Sequence, residues 1–129
     1  MAYFPCSIES HQYSLTEKVV GKWIDGAAVY EKTVYNAGGV SGTLSIPHDI
    51  TNLNKIITVN GSCHDIGYNE GGQQLDVGDM MIPRVAPDGY NIGIVKIDNA
   101  NITMLIPNVF GDRITDIYII LRYTKGVNI

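Results

Sequence analysis

The sequence predicts an all-β protein, an antiparallel β-sandwich of jelly-roll-like organisation, and three observations carry that expectation. Short β-prone runs recur at intervals of roughly 8–12 residues. Turn residues punctuate them, as at Asp25-Gly26, Gly38-Gly39 and Ala86-Pro87-Asp88-Gly89. No stretch carries the i, i+3, i+4, i+7 apolar spacing that an amphipathic helix needs.

Residues 1–12 have little pattern and include Pro5, so they read as an extended N-terminal arm ahead of a single domain over residues 13–129. The first structural signal is a hairpin at Asp25-Gly26, set between Lys22-Trp23-Ile24 and the β-prone run 28–35. A two-residue type I′ turn needs φ > 0 at both central positions, which Asp-Gly supplies at little steric cost. Trp23, just before the turn, is expected to nucleate packing across the two strands. Gly21, between Val19-Val20 and Trp23-Ile24, marks a bulge or bend.

Asn36-Ala-Gly-Gly39 reads as a loop, and residues 42–47 alternate, with Leu44 and Ile46 on one face. Residues 55–60 form a strand with Ile57 and Val59 on one face, closed by Gly61. Residues 63–74, with Gly67, Gly71 and Gly72, are expected to be the longest irregular loop. Short strands follow over 74–77 and 79–85, Pro83 placing the second at a sheet edge. After the turn at 86–89, residues 90–97 and 102–106 make a second hairpin joined by Asp98-Asn99-Ala100-Asn101, and 107–112 form a loop. The closing strand, 113–124, puts Ile117, Ile119, Leu121 and Tyr123 on a core face and Asp116, Tyr118, Ile120 and Arg122 on the other. Tyr118 and Ile120 make that second face too apolar for plain solvent, so a neighbouring subunit is expected to cover it.

Composition excludes several classes of function. At 129 residues, 45% apolar and 17% charged, the chain is a globular domain rather than a disordered one. The net charge of −4 and the absence of any Lys/Arg run argue against nucleic acid as a partner. The longest apolar run, Ile117-Tyr-Ile-Ile-Leu121, is too short for membrane insertion, and the first residues lack a signal-peptide pattern. Cys6 and Cys63, without CxxC spacing, read as idle free thiols.

No motif for catalysis or metal binding emerges. His48-Asp49 and His64-Asp65 pair imidazole with carboxylate, and Ser62-Cys63-His64 sets a nucleophile beside a base, but neighbours on a strand point to opposite faces. HExxH, CxxC and GxSxG are missing, so His48 and His64 read as loop residues bonded to local backbone, with no catalytic residue, metal or cofactor expected. Asp76, Asp79, Asp88 and Asp98 fall outside any DxDxDG loop and read as solvated turn residues. The positive signal is for carbohydrate. Tyr68, Asn69, Gln73, Tyr90, Asn91 and Asn99 supply aromatic stacking surfaces and amide hydrogen bonds on loops, though the same residue types also populate ordinary β-turns.

Three segments resemble one family. Tyr13-Ser-Leu-Thr-Glu-Lys-Val-Val-Gly-Lys-Trp-Ile-Asp-Gly-Ala-Ala-Val-Tyr-Glu-Lys-Thr-Val34 is similar to the opening of a C-terminal domain of bacteriophage tail-fibre and minor structural proteins, whose pattern is about Y-S-T-x-E-x-x-x-G-x-W-I-D-G-K-P-I-Y-x-K-T. Pro47-His-Asp-Ile-Thr-Asn-Leu-Asn-Lys-Ile56 resembles its H-G-I-x-N-I-D-x-I segment, and Ile119-Ile-Leu-Arg-Tyr-Thr-Lys125 its closing V-x-L-E-Y-T-K. The departures are Ala27-Ala28 for Lys-Pro, Asp49 for Gly and Arg122 for Glu, and residues 63–87 do not match.

The resemblance implies a β-sandwich virion protein, made in the host cytoplasm, that forms a homotrimer at the tip of an appendage. It would associate with other virion proteins and attach to the bacterial surface through glycan. A purely structural role, as a trimerisation tip, capsid fibre or baseplate adaptor, is the alternative. Tyr118 and Ile120 are then expected at the oligomer interface, and Trp23, Asp25 and Gly26 in the structural hairpin.

Overall fold

Alternating sequence becomes two facing sheets. The computed structural model describes the backbone of residues 11–70 and 73–126, and their side chains except those of 69–70 and 73–75. One sheet has five strands in the order β1 (Lys18–Lys22), β2 (Ala28–Gly38), β10 (Ile114–Lys125), β4 (Leu53–Asp65) and β7 (Gly78–Ile82). The second has the order β3 (Gly42–Pro47), β9 (Asn101–Ile106) and β8 (Gly93–Ile97). A small hairpin, β5 (Tyr68–Glu70) with β6 (Gln73–Leu75), stands apart, and every pairing is antiparallel. The described residues contain no α-helix, only a 3-10 turn at Asn108–Phe110. The all-β antiparallel sandwich is as expected.

The core lies between the sheets. Ile117, Ile119, Leu121 and Tyr123 of β10 are fully buried, as the alternation requires. They meet Leu44 and Ile46 of β3 and Ile102, Met104 and Ile106 of β9. The chain crosses between sheets at β2–β3, β3–β4, β7–β8 and β9–β10, which gives the jelly-roll-like character, while β8 and β9 stay in one sheet as a hairpin.

Several local expectations need correction. The first hairpin turns through three residues rather than two. Gly26 donates to the Trp23 carbonyl and Trp23 to that of Ala27, and of the loop residues only Gly26, at φ 90°, is left-handed. This is a type I turn over Ile24-Asp25 followed by a glycine bulge, with the Asp25 carboxylate accepting the Ala27 N–H at 2.9 Å. Trp23 is half-buried under the Lys55 ammonium and lies outside the main core, so it braces one end and does not organise the centre. Residues 36–38 continue β2, and residues 63–65 continue β4, so the expected long loop is a strand end and a hairpin. Pro83 does follow an edge strand, β7.

Gly61 does not close its strand. A bulge in β4 shifts the register between Thr58 and Ile56, and it is Ile56 and Val59, not Ile57, that pack on the core. Further along, β10 carries its own bulge between Thr115 and Tyr118, with Asp116 at φ 50°. There the β4 backbone approaches so closely that a Cβ at Gly61 would collide with the Tyr118 carbonyl oxygen.

Gly61→Ala is therefore expected to destabilise the fold by at least about 2 kcal/mol, because the obstruction is backbone that cannot rotate away. Gly21→Ala, with nothing within 4 Å of the added methyl, is expected to be nearly neutral. Urea midpoints of the two variants check the contrast.

Candidate functional site

The sequence-predicted site residues divide between opposite ends of the sandwich. Tyr90 and Asn91 precede β8, whereas Asn99 lies in the turn that follows it, so a whole strand separates them. Asn99 therefore belongs to a different surface from Tyr90. Backbone pairing in β5–β6 places Asn69 opposite Gln74 and Gln73 opposite Glu70, but the side chains of Asn69 and Gln73 lie outside the described residues.

Tyr68 and Tyr90 share one end, and the chemistry that joins them is specific. Asp65, buried at the end of β4, accepts from Arg113 Nε at 3.0 Å and Nη2 at 2.7 Å, and from the Gly67 N–H at 2.8 Å. The guanidinium so fixed lies 5.5 Å from the centre of the Phe110 ring and 5.7 Å from that of Tyr68. Arg84 lies 5.3 Å from the same Phe110 ring. Arg84 is held by both oxygens of Asp88, at 3.2 and 3.1 Å, and donates to the Tyr90 carbonyl. The Arg84 bond, with the Tyr90 N–H beside it, holds the Asp88 carboxyl below its ordinary range. The Tyr68 ring, 49% exposed, thus lies beside Arg113, and Tyr90, 45% exposed, is tied to Arg84 and Asp88 through its backbone. Asn91 Oδ1 accepts the Ala86 N–H at 3.3 Å, leaving its amide nitrogen outward.

A second feature, missed in sequence, occupies the outer face of the five-stranded sheet. Cross-strand pairing sets Glu31 beside Arg122, Thr33 beside Ile120 and Tyr35 beside Tyr118. Segment 11–17 runs along β2: the Ser14 carbonyl accepts the Thr33 N–H at 2.8 Å, and His11 Nε2 lies 2.7 Å from a carboxylate oxygen of Glu31. Burial favours the neutral form of Glu31, but the His11 and Arg122 bonds outweigh it and hold the carboxyl below its usual value. The chain itself thus covers part of the face expected to need a neighbour, leaving Ile120 half-buried and Tyr118 at 42% exposure.

Around Tyr118 the face opens into a groove of about 340 Å³ lined by Tyr13, Ser14, Leu15, Thr33, Tyr35 and Tyr118. The Tyr35 and Tyr118 rings are 5.0 Å apart and tilted by 50°. Tyr35 donates to Asp116 Oδ1 at 2.9 Å, which raises the pKa of its phenol. The available signal was outward alternation of Thr33 and Tyr35 on a strand that otherwise reads as scaffold.

The histidines resolve differently. His48 Nδ1 accepts the Ile50 N–H at 3.0 Å, the local backbone bond expected, but Nε2 donates to the distant Asp98 carbonyl at 2.8 Å, so this buried imidazole ties two loops together. His64 departs from expectation. Its Nδ1 lies 2.6 Å from Asp79 Oδ1 and its Nε2 2.9 Å from Asp76 Oδ1, so both acids serve as clamps across the β4–β7 edge and not as free turn residues. Cys63, buried beside it, is a free thiol pushed up to about 11, chiefly by burial, which makes it a poor nucleophile. Cys6 lies outside the described residues. Among the described residues no three His, Cys, Asp or Glu side chains are placed to hold a metal ion, and no helix is long and apolar enough to cross a membrane.

No protein family, curated protein or solved structure matches this chain.

The bond to Asp79, then that to Asp76, raises the His64 pKa above the ordinary histidine value. A raised folded-state pKa contributes stability in full below the unfolded-state value and loses it as pH climbs through the raised value. An NMR titration of the imidazole is expected to place His64 above a free histidine, and Asp79→Asn is expected to bring the midpoint down.

Proposed function

We propose that this protein is the host-attachment module of a bacteriophage virion appendage, a tail-fibre tip or its equivalent, and that it grips glycan on the bacterial surface with the end bearing Tyr68 and Tyr90. The observation that carries the reading is the Arg84–Phe110–Arg113 base. The Tyr68 ring lies against a guanidinium fixed by buried Asp65, and the Tyr90 backbone is tied to the Arg84–Asp88 pair, so part of the freedom that binding a sugar would remove is already lost. Aromatic faces stack on the C–H face of a pyranose while neighbouring amides bond its hydroxyls.

The resemblance to phage appendage domains falls on the frame: the β1–β2 hairpin, the corner at 47–56 and the end of β10. One departure makes physical sense. Asp49, where the family pattern has Gly, sits at φ 55°, in the left-handed region that glycine occupies at least cost. The unmatched residues, 63–87, include Tyr68, Asp65 and Arg84, so that part of the proposed receptor end lies outside the resemblance. In a homotrimer anchored by other virion proteins, three such ends act together, and weak single contacts combine by avidity.

The test is retention of the protein on candidate host cells, with oligomeric state followed in parallel. Tyr68→Ala and Tyr90→Ala are each expected to weaken retention about tenfold or more, the equivalent of ~1.4 kcal/mol. Asn99→Ala, at the other end, is expected to change nothing. Sedimentation is expected at about 42 kDa, three chains of 14.1 kDa, for all of them. A trimer that binds no host cell would favour the purely structural role.

A further inference from the structure

Among the described residues, one buried side-chain oxygen on the outer face of the five-stranded sheet has no partner. Thr33 is 7% exposed, and its Oγ1 is buried without any hydrogen bond. Buried hydroxyls are ordinarily satisfied, and one that is not calls for a specific explanation. Thr33 lines the tyrosine groove on one side and a second hollow of about 440 Å³ on the other, with Leu15 bordering both.

A second irregularity lies on the other side of Tyr118, in a hollow that Asp116 and Tyr118 line together with Ser62 and His64. Asp116 holds φ at 50° near the start of the central strand, at the bulge that Gly61 makes room for. Left-handed backbone at a non-glycine residue is costly and collects at functional sites. Here it sets the carboxylate where Oδ1 accepts the Tyr35 hydroxyl, while Oδ2 takes no hydrogen bond among the described residues.

We propose that this groove is a saccharide site: one pyranose ring stacks on Tyr118, and one of its hydroxyls bonds Thr33 Oγ1. An apolar ligand would leave that oxygen unsatisfied, whereas a sugar offers an apolar C–H face together with hydroxyl donors. The volume, about 340 Å³, lies at the low end of small-ligand sites, which run from roughly 300 to 1,000 Å³. Leu15, 60% exposed, borders the groove beside Thr33. The ligand class rests on the attachment reading above; the location rests on the groove alone, away from Tyr68 and Tyr90.

The experiment titrates the full chain with methyl α-glucopyranoside, methyl β-galactopyranoside and N-acetylglucosamine, followed by NMR at Thr33, Tyr35 and Tyr118. At least one sugar is expected to shift these signals together. Thr33→Val, which preserves shape and removes a hydroxyl that bonds nothing in the free protein, is expected to fold with an undiminished thermal midpoint and to bind at least tenfold more weakly. Thr33→Ser is expected to restore binding.

The proposal is overturned if no sugar moves the groove signals, if Thr33→Val binds as tightly as the parent because only an ordered water occupies the hollow, or if Tyr118→Ala abolishes self-association, which would make the groove a subunit contact. Host-cell retention that depends on Tyr68 and Tyr90 while the groove stays silent removes this site and leaves the attachment reading. Groove binding without any host-cell retention does the reverse.

Discussion

Everything in this fold depends on β10 lying between β2 and β4 with its two faces assigned to different tasks. A strand inside a sheet has both backbone edges committed, and successive side chains have no choice of face. Ile117, Ile119, Leu121 and Tyr123 consequently form the floor of the core, fully buried against the three-stranded sheet. Asp116, Tyr118, Ile120 and Arg122 are delivered to the outer surface by the same alternation. Moving the register by one residue would bury Asp116 and Arg122 and expose four large apolar groups, so the hydrophobic pattern fixes the surface as firmly as it fixes the interior.

The bulge at Asp116 modifies this scheme at one place. An extra residue on β10 between Thr115 and Tyr118 turns the chain locally, and Gly61 on β4 is the accommodation it requires. The outcome is a tyrosine pair set at 50° with a carboxylate beside it, flanked by a threonine whose hydroxyl is unused. At the top of the molecule a different device operates. Buried Asp65 fixes Arg113, paired Asp88 fixes Arg84, and both cations rest on Phe110, Arg113 beside the Tyr68 ring and Arg84 bonded to the Tyr90 carbonyl.

How much of this was legible depended on whether the signal was local. The faces of the closing strand from Ile117 onward were readable, because unbroken alternation leaves one assignment, but its ends were each off by one residue and the bulge at Asp116 was not seen. The 90–106 hairpin and the turn at 86–89 were readable for the same reason, and the Gly89 N–H does reach back to Ala86. Bulges were less legible: Gly21 hinted at one, but the slip at Ile57 reversed which residues faced the core, since an inserted residue leaves no mark on composition. Glycine misled at position 61, where it serves close approach and not chain reversal. Contacts between distant segments were not legible at all. Nothing near His64 in sequence announces Asp76 and Asp79 as its partners, and nothing near Phe110 announces that Arg84, far upstream, will join Arg113 over it.

The account stands on β10 as the element that opens last. Native-state hydrogen exchange measures this directly, since amides report the free energy of the opening that exposes them. The prediction is that the amides of Ile119 and Leu121 exchange only through global unfolding, while those of β1, β7 and β8 exchange through cheaper local openings. If the β10 amides exchange as fast as those of the edge strands, the central strand is not what holds the two sheets and the two surfaces together, and the account fails.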